Sequence, residues 1–117
     1  MLLASDMERT ARWFRGSLGF EVELFHEPPD FGIASRDGTM IMFARCPDAE
    51  RIVANWKIVE KMWNVYVRVD DVEALYAELL ERGTELDYSL YDAPHGMREF
   101  GVTDPDGHDI AFGQPLG

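Results

Sequence analysis

Apolar and polar positions follow two rhythms along the chain, one typical of helices and one typical of strands. The clearest helical pattern covers residues 71–83, where one apolar stripe is formed by Val72, Leu75, Tyr76, Leu79 and Leu80. Asp71 is a good N-cap, and Gly83 suits the position after the last turn. The preceding stretch NVYVRV alternates and is rich in valine, which predicts a strand.

The N-terminal half repeats this order. LLASDMERTARWFRGSLGF predicts a short strand, a cap at Asp6, a helix and then Gly19. Asp6 lies 65 residues before Asp71, and Gly19 lies 64 residues before Gly83. Further along, DFGIASRDGTMIMFA and EFGVTDPDGHDIAFG each indicate a strand, a tight turn ending in Asp-Gly, and a strand. We therefore predict two copies of one strand–helix–three-strand (βαβββ) unit.

The repeat predicts an α+β fold made of two tandem βαβββ modules. Residues 1–117 are expected to form a single domain, with module one at 1–45, a joint at 46–62 and module two at 63–117. A unit of this size buries too little apolar surface to be stable alone, so the two modules should pack together. We expect a curved mixed sheet around a concave pocket, with the helices on its outer face.

Charge and composition narrow the classes of partner. The net charge is −11, and residues 59–117 carry thirteen acidic against four basic side chains. This balance disfavours binding to nucleic acid or to an anionic membrane surface, and solubility is its simplest explanation. No apolar run reaches the length of about 18 residues that a membrane helix needs, and MLLASDMER does not resemble a signal peptide. With Cys46 as the single cysteine, we expect a cytoplasmic protein.

Three stretches together carry a resemblance to a known family. SDMERTARWFRGSLGFEVE, VRVDDVEALYAELLERG and GMREFGVTDPDGHDIAFG occur in the order and spacing typical of paired βαβββ proteins. The chain resembles the vicinal oxygen chelate superfamily, which contains glyoxalases, ring-cleaving dioxygenases and bleomycin resistance proteins. The last stretch is most similar to the bleomycin-resistance branch.

The resemblance implies where a metal would bind in related enzymes. Four ligand positions on the concave face correspond to a residue before Met1 and to Met42, Asn64 and Ala111. A thioether is a poor ligand for the divalent metals concerned, alanine offers no donor atom, and an amide coordinates weakly. We therefore predict that this chain holds neither a metal nor another cofactor at the family's usual place.

Strand alternation then assigns the side chains that line the concave pocket. The predicted ligand-binding residues are Met40, Met42, Trp56, Trp63, Asn64, Tyr66, Arg68, His95, Glu99, Asp109 and Ala111. Two alternatives stay open at this point. Arg68 and Glu99 either contact a ligand or form an ion pair with each other, and Trp56 and Trp63 either cover a planar ligand or pack the joint. Gly32 and Gly101 are expected to let a ligand approach the backbone.

The histidines and the acidic turn are weaker candidates. His108 follows the turn Asp-Pro-Asp-Gly on the side facing the core, and we expect it to hydrogen-bond within that turn. His95 replaces an aromatic residue that stacks on the ligand in bleomycin-binding relatives, which leaves a stacking or hydrogen-bonding role. Asp104 and Asp106 suit the geometry of a type I turn rather than acid–base chemistry.

Two functional hypotheses follow. The first is a metal-free protein that binds, and so sequesters, a small cationic or aromatic molecule resembling an antibiotic. The second is an enzyme of the same superfamily, such as a lyase, isomerase or dioxygenase-like protein, with Glu99 or Asp109 as the inward-facing base. The resemblance also implies a homodimer, and an accessory protein without a ligand is a third possibility.

Overall fold

The computed structural model describes residues 1–59 and 62–117, and it shows two copies of the same unit. Module one consists of β1 (Leu2–Ala4), α1 (Met7–Ser17), β2 (Glu21–Phe25), β3 (Phe31–Arg36) and β4 (Thr39–Arg45). Module two consists of β5 (Val65–Arg68), α3 (Val72–Glu81), β6 (Leu86–Asp92), β7 (Met97–Thr103) and β8 (Asp109–Pro115). The predicted tandem α+β modules are thereby confirmed.

Each module forms a four-stranded mixed sheet of its own. The strand orders are β1-β4-β3-β2 and β5-β8-β7-β6, and in each sheet the first pair is parallel and the others antiparallel. The short β1 is completed by β4, in the register Leu2↔Phe43 to Ala4↔Arg45. The joint contains a 3-10 turn (Ala49–Arg51) and the short helix α2 (Asn55–Ile58). Residues 60 and 61 of the predicted joint lie outside the described residues.

Local sequence signals determine where the two long helices begin and end. The carboxyl groups of Asp6 and Asp71 accept hydrogen bonds from the backbone N–H three residues later, at 3.1 and 3.0 Å. Gly19 and Gly83, at φ of 69° and 76°, take the left-handed conformation after each helix. The predicted stripe of α3 needs one correction: Val72 and Leu79 are fully buried, but Leu80 is 48% exposed because it lies at the edge of the stripe.

One hydrophobic core joins the two modules. It lies between the helices and the sheet faces that they cover, and it includes Phe14 and Phe43 from module one and Phe100 and Phe112 from module two. The ring centroids of the two pairs are 5.6 and 5.4 Å apart, in stacked geometry. Strand alternation also predicts that the residues next to the pocket-lining positions face the helices, and these are buried, namely Ile41, Phe43, Phe100, Val102, Ile110 and Phe112.

The acidic turn between β7 and β8 fastens module two to the N-terminus. The Asp104 carboxyl accepts hydrogen bonds from the N–H groups of Asp106 and His108, as the turn geometry predicts. The Asp106 carboxyl instead accepts from the Ser5 hydroxyl at 2.6 Å and from Arg9 at 3.2 Å, so turn geometry alone does not explain it. His108 is buried, and its Nε2 donates to the carbonyl oxygen of Leu3 at 2.9 Å. The sequence predicted that His108 would hydrogen-bond within the turn. Its side chain instead reaches across to module one.

An ion pair closes the other side of the seam between the modules. Arg36 on β3 donates through both Nη atoms to the two carboxylate oxygens of Glu78 on α3, at 2.7 and 2.5 Å. Arg82 donates to the same carboxylate at 2.9 Å. The hydrogen bond from Arg36, with help from Arg82, lowers the pKa of Glu78 to about 2.

Replacing Glu78 with glutamine is expected to lower the free energy of unfolding at neutral pH by about 1–2 kcal/mol, a value reduced because the carboxylate is one-third exposed. A depressed carboxyl pKa stabilises the fold above the unfolded pKa and loses that effect as the pH falls. The difference from wild type should therefore shrink from about pH 5 to about pH 3 in urea unfolding. Glu81→Gln, an exposed change on the same helix, is the control, and an equal deficit at both pH values would contradict the prediction.

Candidate small-molecule site

A hydrogen-bonded network of acidic, aromatic and imidazole side chains lies on the face of the module-two sheet that the helices leave uncovered. Parallel pairing places Tyr66 of β5 opposite Ala111 of β8. Antiparallel pairing places Glu99 of β7 opposite Gly113, and Tyr91 of β6 opposite Glu99. Residues paired in this way point to the same side of a sheet, so these strands contribute to one shared face.

Glu99 is the centre of this face. Its side chain is fully buried, and one carboxylate oxygen accepts from the Tyr66 hydroxyl at 3.0 Å and contacts His95 Nε2 at 2.6 Å. The other oxygen accepts from the Tyr88 hydroxyl at 2.6 Å. Tyr88 in turn accepts a hydrogen bond from Trp63 Nε1 at 2.9 Å. A single buried acidic side chain therefore orients three aromatic rings and one imidazole.

The electrostatics of this network keep both phenols protonated. Burial is the largest cause that raises the pKa of Tyr66 and Tyr88, and the hydrogen bonds to Glu99 raise them further. Both hydroxyl groups therefore remain donors to Glu99 across the physiological range. The Trp63 ring also packs edge-on against Tyr66 and His95, with centroids 4.8 and 6.0 Å away.

Two glycines make room for the tyrosine rings. A Cβ atom at Gly113 would overlap the Tyr66 hydroxyl, and one at Gly101 would overlap the Tyr88 ring. The corresponding space at Gly32 is filled from the core side by Phe43. The expectation that Gly32 and Gly101 expose backbone to a ligand is therefore wrong, because aromatic rings of the chain itself occupy both places.

Irregularities in β6 turn further side chains into the site. The register of β6 against β7 shifts between Leu86 and Tyr88 and again between Tyr88 and Tyr91. Strict alternation would place Leu86 and Leu90 beside Tyr88, but both leucines pack against the core. The shifts allow Asp87, Tyr88 and Tyr91 all to reach the uncovered face.

These side chains enclose an open pocket of about 480 Å³, which we call the aromatic pocket. It is lined by Trp63, Asp87, Tyr88, Ser89, Tyr91, Glu99 and Asp109. A concave site with aromatic walls and a few polar groups is typical of small-molecule binding. A larger cavity of about 590 Å³ lies at the module seam, but its Arg36 and Glu78 already pair with each other.

Asp109 is the other buried acidic side chain of the pocket. Burial raises its pKa to about 7, and hydrogen bonding and repulsion from Asp87 and repulsion from Asp104 add to this effect. Two carboxyl groups hydrogen-bond to each other only when one of them carries a proton. The Asp109 carboxyl is therefore partly protonated near neutral pH, and in that form it can donate to Asp87.

With this geometry established, comparison with known proteins identifies the family. The family model described as Glyoxalase/Bleomycin resistance protein/Dioxygenase superfamily matches residues 1–112. The chain belongs to this superfamily. No match to the sequence was found among curated proteins.

Solved structures of other superfamily members share the fold. A glyoxalase/bleomycin resistance protein/dioxygenase from Alicyclobacillus acidocaldarius has a TM-score of 0.79 at 16% identity, over 99% of this chain and 88% of that one. The bleomycin-binding protein from bleomycin-producing Streptomyces verticillus, complexed with copper(II)-bleomycin, has a TM-score of 0.71 at 23% identity, over 95% and 88%. TnmS3, an antibiotic binding protein from Streptomyces sp. CB03234, has a TM-score of 0.71 at 21% identity, over 97% and 90%.

Several of the residues predicted from the sequence come together in the superfamily fold. Trp63, Glu99 and Asp109 line the aromatic pocket, and Tyr66 and His95 are held at its edge by Glu99. Ala111 is fully buried opposite Tyr66. Sequence reasoning missed Asp87, Tyr88 and Tyr91, because alternation could not anticipate the shifted register of β6.

The other predicted residues lie elsewhere. Met40 and Met42 are 63% and 41% exposed on the sheet of module one. Trp56 donates from Nε1 to the carbonyl oxygen of Gly107 at 2.8 Å, so it packs the joint onto the β7–β8 turn. The Asn64 amide oxygen accepts from the backbone N–H of Asn55 at 3.1 Å, which anchors α2.

Arg68 does not form the ion pair that the sequence left open. The described partners of Glu99 are two phenols and an imidazole, while Arg68 is exposed and lines the seam cavity. The reason is geometric: Tyr66, two residues earlier on the same face, lies over Gly113 and occupies the approach to Glu99.

The donor atoms at the positions that the resemblance assigns to a metal do not fit a divalent metal. Met42 offers an exposed thioether, Ala111 offers nothing, and the oxygen of Asn64 is engaged by Asn55. Within residues 1–59 and 62–117, no group of three histidine, cysteine or acidic side chains is arranged to hold a metal ion. No helix in the same part of the chain is long and apolar enough to cross a membrane.

Proposed function

We propose that this superfamily member binds a small molecule with an aromatic or cationic group in the aromatic pocket, without a metal, and thereby sequesters it. The observation that carries the proposal is the set of rings oriented by Glu99 before any ligand arrives. A preorganised aromatic wall binds a planar group without first having to order its own side chains. Bleomycin-binding and antibiotic binding proteins among the structural neighbours support a binding role of this kind.

We also propose that the binding form is a homodimer located in the cytoplasm. The sheet face of module one presents a row of apolar side chains to solvent, including Leu3, Met40 and Met42, which are 40%, 63% and 41% exposed. Large exposed apolar surface is characteristic of protein interfaces. We expect a second copy of the chain to cover this face, and the single free thiol, Cys46, suits a reducing compartment.

An enzymatic role within the same superfamily is the second candidate, and the contact between His95 and Glu99 favours it. Glu99 holds His95 Nε2 at 2.6 Å, while the imidazole side chain remains 46% exposed. An imidazole oriented by a buried acidic side chain is a common general base, with the second ring nitrogen free to accept a proton. Turnover that is lost in His95→Gln while binding is kept would select this candidate over simple sequestration.

Ligand titration followed by tryptophan fluorescence tests the proposed function. The probes are bleomycin, the planar cation 1-methylquinolinium and the uncharged 1-methyl-2-quinolone. Trp63→Phe removes a pocket wall and the hydrogen bond to Tyr88, so we expect about tenfold weaker binding. Trp56→Phe is the matched control, because Trp56 lies on the β7–β8 turn, and it should leave the Kd unchanged.

Two results would count against the proposal. Equal weakening by both tryptophan variants would place the binding site outside the aromatic pocket. A large rise in the midpoint of thermal unfolding with a divalent metal alone would contradict binding without a metal.

A further inference from the structure

Buried Asp109 lies on the floor of the aromatic pocket and exposed Asp87 lines the same pocket, although their strands are separated by β7. Asp109 is 7% exposed and points into the pocket. Among the described residues, every group that acts on its carboxyl is acidic, and none is a basic side chain. A buried acidic group without a donor or a cation is costly, and such groups are characteristic of functional sites.

The titratable side chains around Asp109 in the described structure are carboxyl groups and phenols. The titratable groups around it are Asp87 and the phenols of Tyr88 and Tyr91 on β6, Glu99 on β7, and Asp104 in the turn before β8. Glu99 already has three hydrogen-bonding partners, whereas no basic side chain of the described residues pairs with Asp109. Asp87 and Asp109 are therefore the acidic side chains of the pocket that a positively charged ligand would stabilise most.

We infer that Asp87 and Asp109, which line the same wall-and-floor region of the aromatic pocket, form a subsite for a positively charged nitrogen of the ligand. This inference rests on the proposed binding function. The ligand enters as an ammonium, guanidinium or aromatic cation. The O–H bond of the Asp109 carboxyl breaks and its proton passes to a water molecule, while no bond between heavier atoms changes. Removing the proton leaves two adjacent carboxylates, whose repulsion the ligand charge relieves.

An organic cation suits this subsite better than a metal ion does. Two carboxyl groups supply too few ligands for a divalent metal, and the described residues offer no third group arranged with them. The rings of Trp63, Tyr88 and Tyr91 line the same pocket. Aromatic faces attract organic cations through their quadrupole, so the walls and the floor favour the same class of ligand.

The replacement of a proton makes binding depend on pH. Because the pKa of Asp109 lies at about 7, binding at lower pH has to expel the proton, and binding at higher pH does not. For one such proton, the affinity for a permanent cation is expected to rise about tenfold from pH 6 to pH 8. An uncharged ligand of the same shape gains nothing from the second carboxylate, so its affinity should not rise.

Isothermal titration calorimetry of the full chain with 1-methylquinolinium and 1-methyl-2-quinolone at both pH values tests the inference. The cation should bind wild type about tenfold more tightly at pH 8 and release about one proton at pH 6, as measured in buffers of different ionisation enthalpy. Asp109→Asn should remove the pH dependence and weaken cation binding at pH 8 by about tenfold. Glu85→Gln removes one exposed charge just before β6, and it should behave like wild type.

The outcomes separate this inference from the proposed function. Equal, pH-independent affinities for the two probes, both weakened by Trp63→Phe, would overturn the cation subsite and leave the aromatic pocket standing. Absence of binding by both probes would overturn the two together. Tight binding of Mg²⁺ or Mn²⁺ that is lost in Asp109→Asn would overturn the organic-cation subsite in favour of a metal.

Discussion

Glu99→Ala is expected to lower the free energy of unfolding by about 3 kcal/mol and to weaken binding of an aromatic ligand at least tenfold. The carboxylate is fully buried and accepts from two phenols and an imidazole, so its removal leaves the donors of Tyr66, Tyr88 and His95 without their acceptor. The rings then lose their fixed orientation, and Trp63 loses the constraint that reaches it through Tyr88. Stability and affinity should therefore fall together.

Urea unfolding and ligand titration on the same variants measure the two effects. Glu99→Gln keeps the size of the side chain and one acceptor oxygen, and it should cost less than Glu99→Ala in both measurements. Glu85→Ala, at an exposed carboxylate, is the control for the general loss of an acidic side chain. Glu99→Ala within about 0.5 kcal/mol of wild type would show that the network does not hold the pocket together.

The architecture could be predicted from the sequence because the same signals for helix and strand ends occur in both modules. Asp6 and Asp71 begin equivalent helices, and Gly19 and Gly83 end them, so each module supports the interpretation of the other. Alternation along β7 also placed Phe100 in the core and Glu99 on the opposite face. Such assignments succeed where a strand is regular and one of its faces is covered by a helix.

Alternation failed where the chain is irregular. In β6 the shifted register brings Tyr88 and Tyr91 to the pocket, although they are three positions apart. Without these phenols, Arg68 was the natural partner for Glu99, and so the sequence offered the wrong ion pair. The pairing of Asp87 with Asp109 is equally hidden, because it spans two strands that are not neighbours in the sheet.

The two modules also differ in a way that their repeated sequence conceals. The uncovered face of module two is filled by its own aromatic rings, whereas Met40 and Met42 remain exposed on module one. Both faces follow the same alternation, so pattern alone assigns their residues to one pocket. The two faces differ in side-chain size and hydrogen bonding. Glu99 hydrogen-bonds the aromatic side chains of module two, whereas module one has methionines, which form no such hydrogen bonds.

Asp109→Asn is expected to make the protein more stable at neutral and alkaline pH, by about 2–3 kcal/mol at pH 8. The pKa of Asp109 in the fold is about 7, against an ordinary value of 3.8. Below pH 4 the carboxyl is neutral in the folded and the unfolded chain, so it carries no penalty. Between about pH 4 and pH 7 only the unfolded chain ionises, so stability falls as the pH rises, and above about pH 7 the loss is complete. Asparagine does not titrate, and its amide can donate to Asp87.

Urea unfolding of wild type and Asp109→Asn at about pH 4, 6 and 8 measures this trend, with Glu85→Gln as the charge-matched control. The free energies of unfolding of the two proteins should be equal near pH 4 and should differ more as the pH rises. A variant that is less stable than wild type at pH 8, or a gap that does not change with pH, would show that the Asp109 carboxyl is not held protonated by burial. A more stable variant that has also lost pH-dependent affinity for 1-methylquinolinium would show that the acidic side chain is kept for binding at the expense of stability.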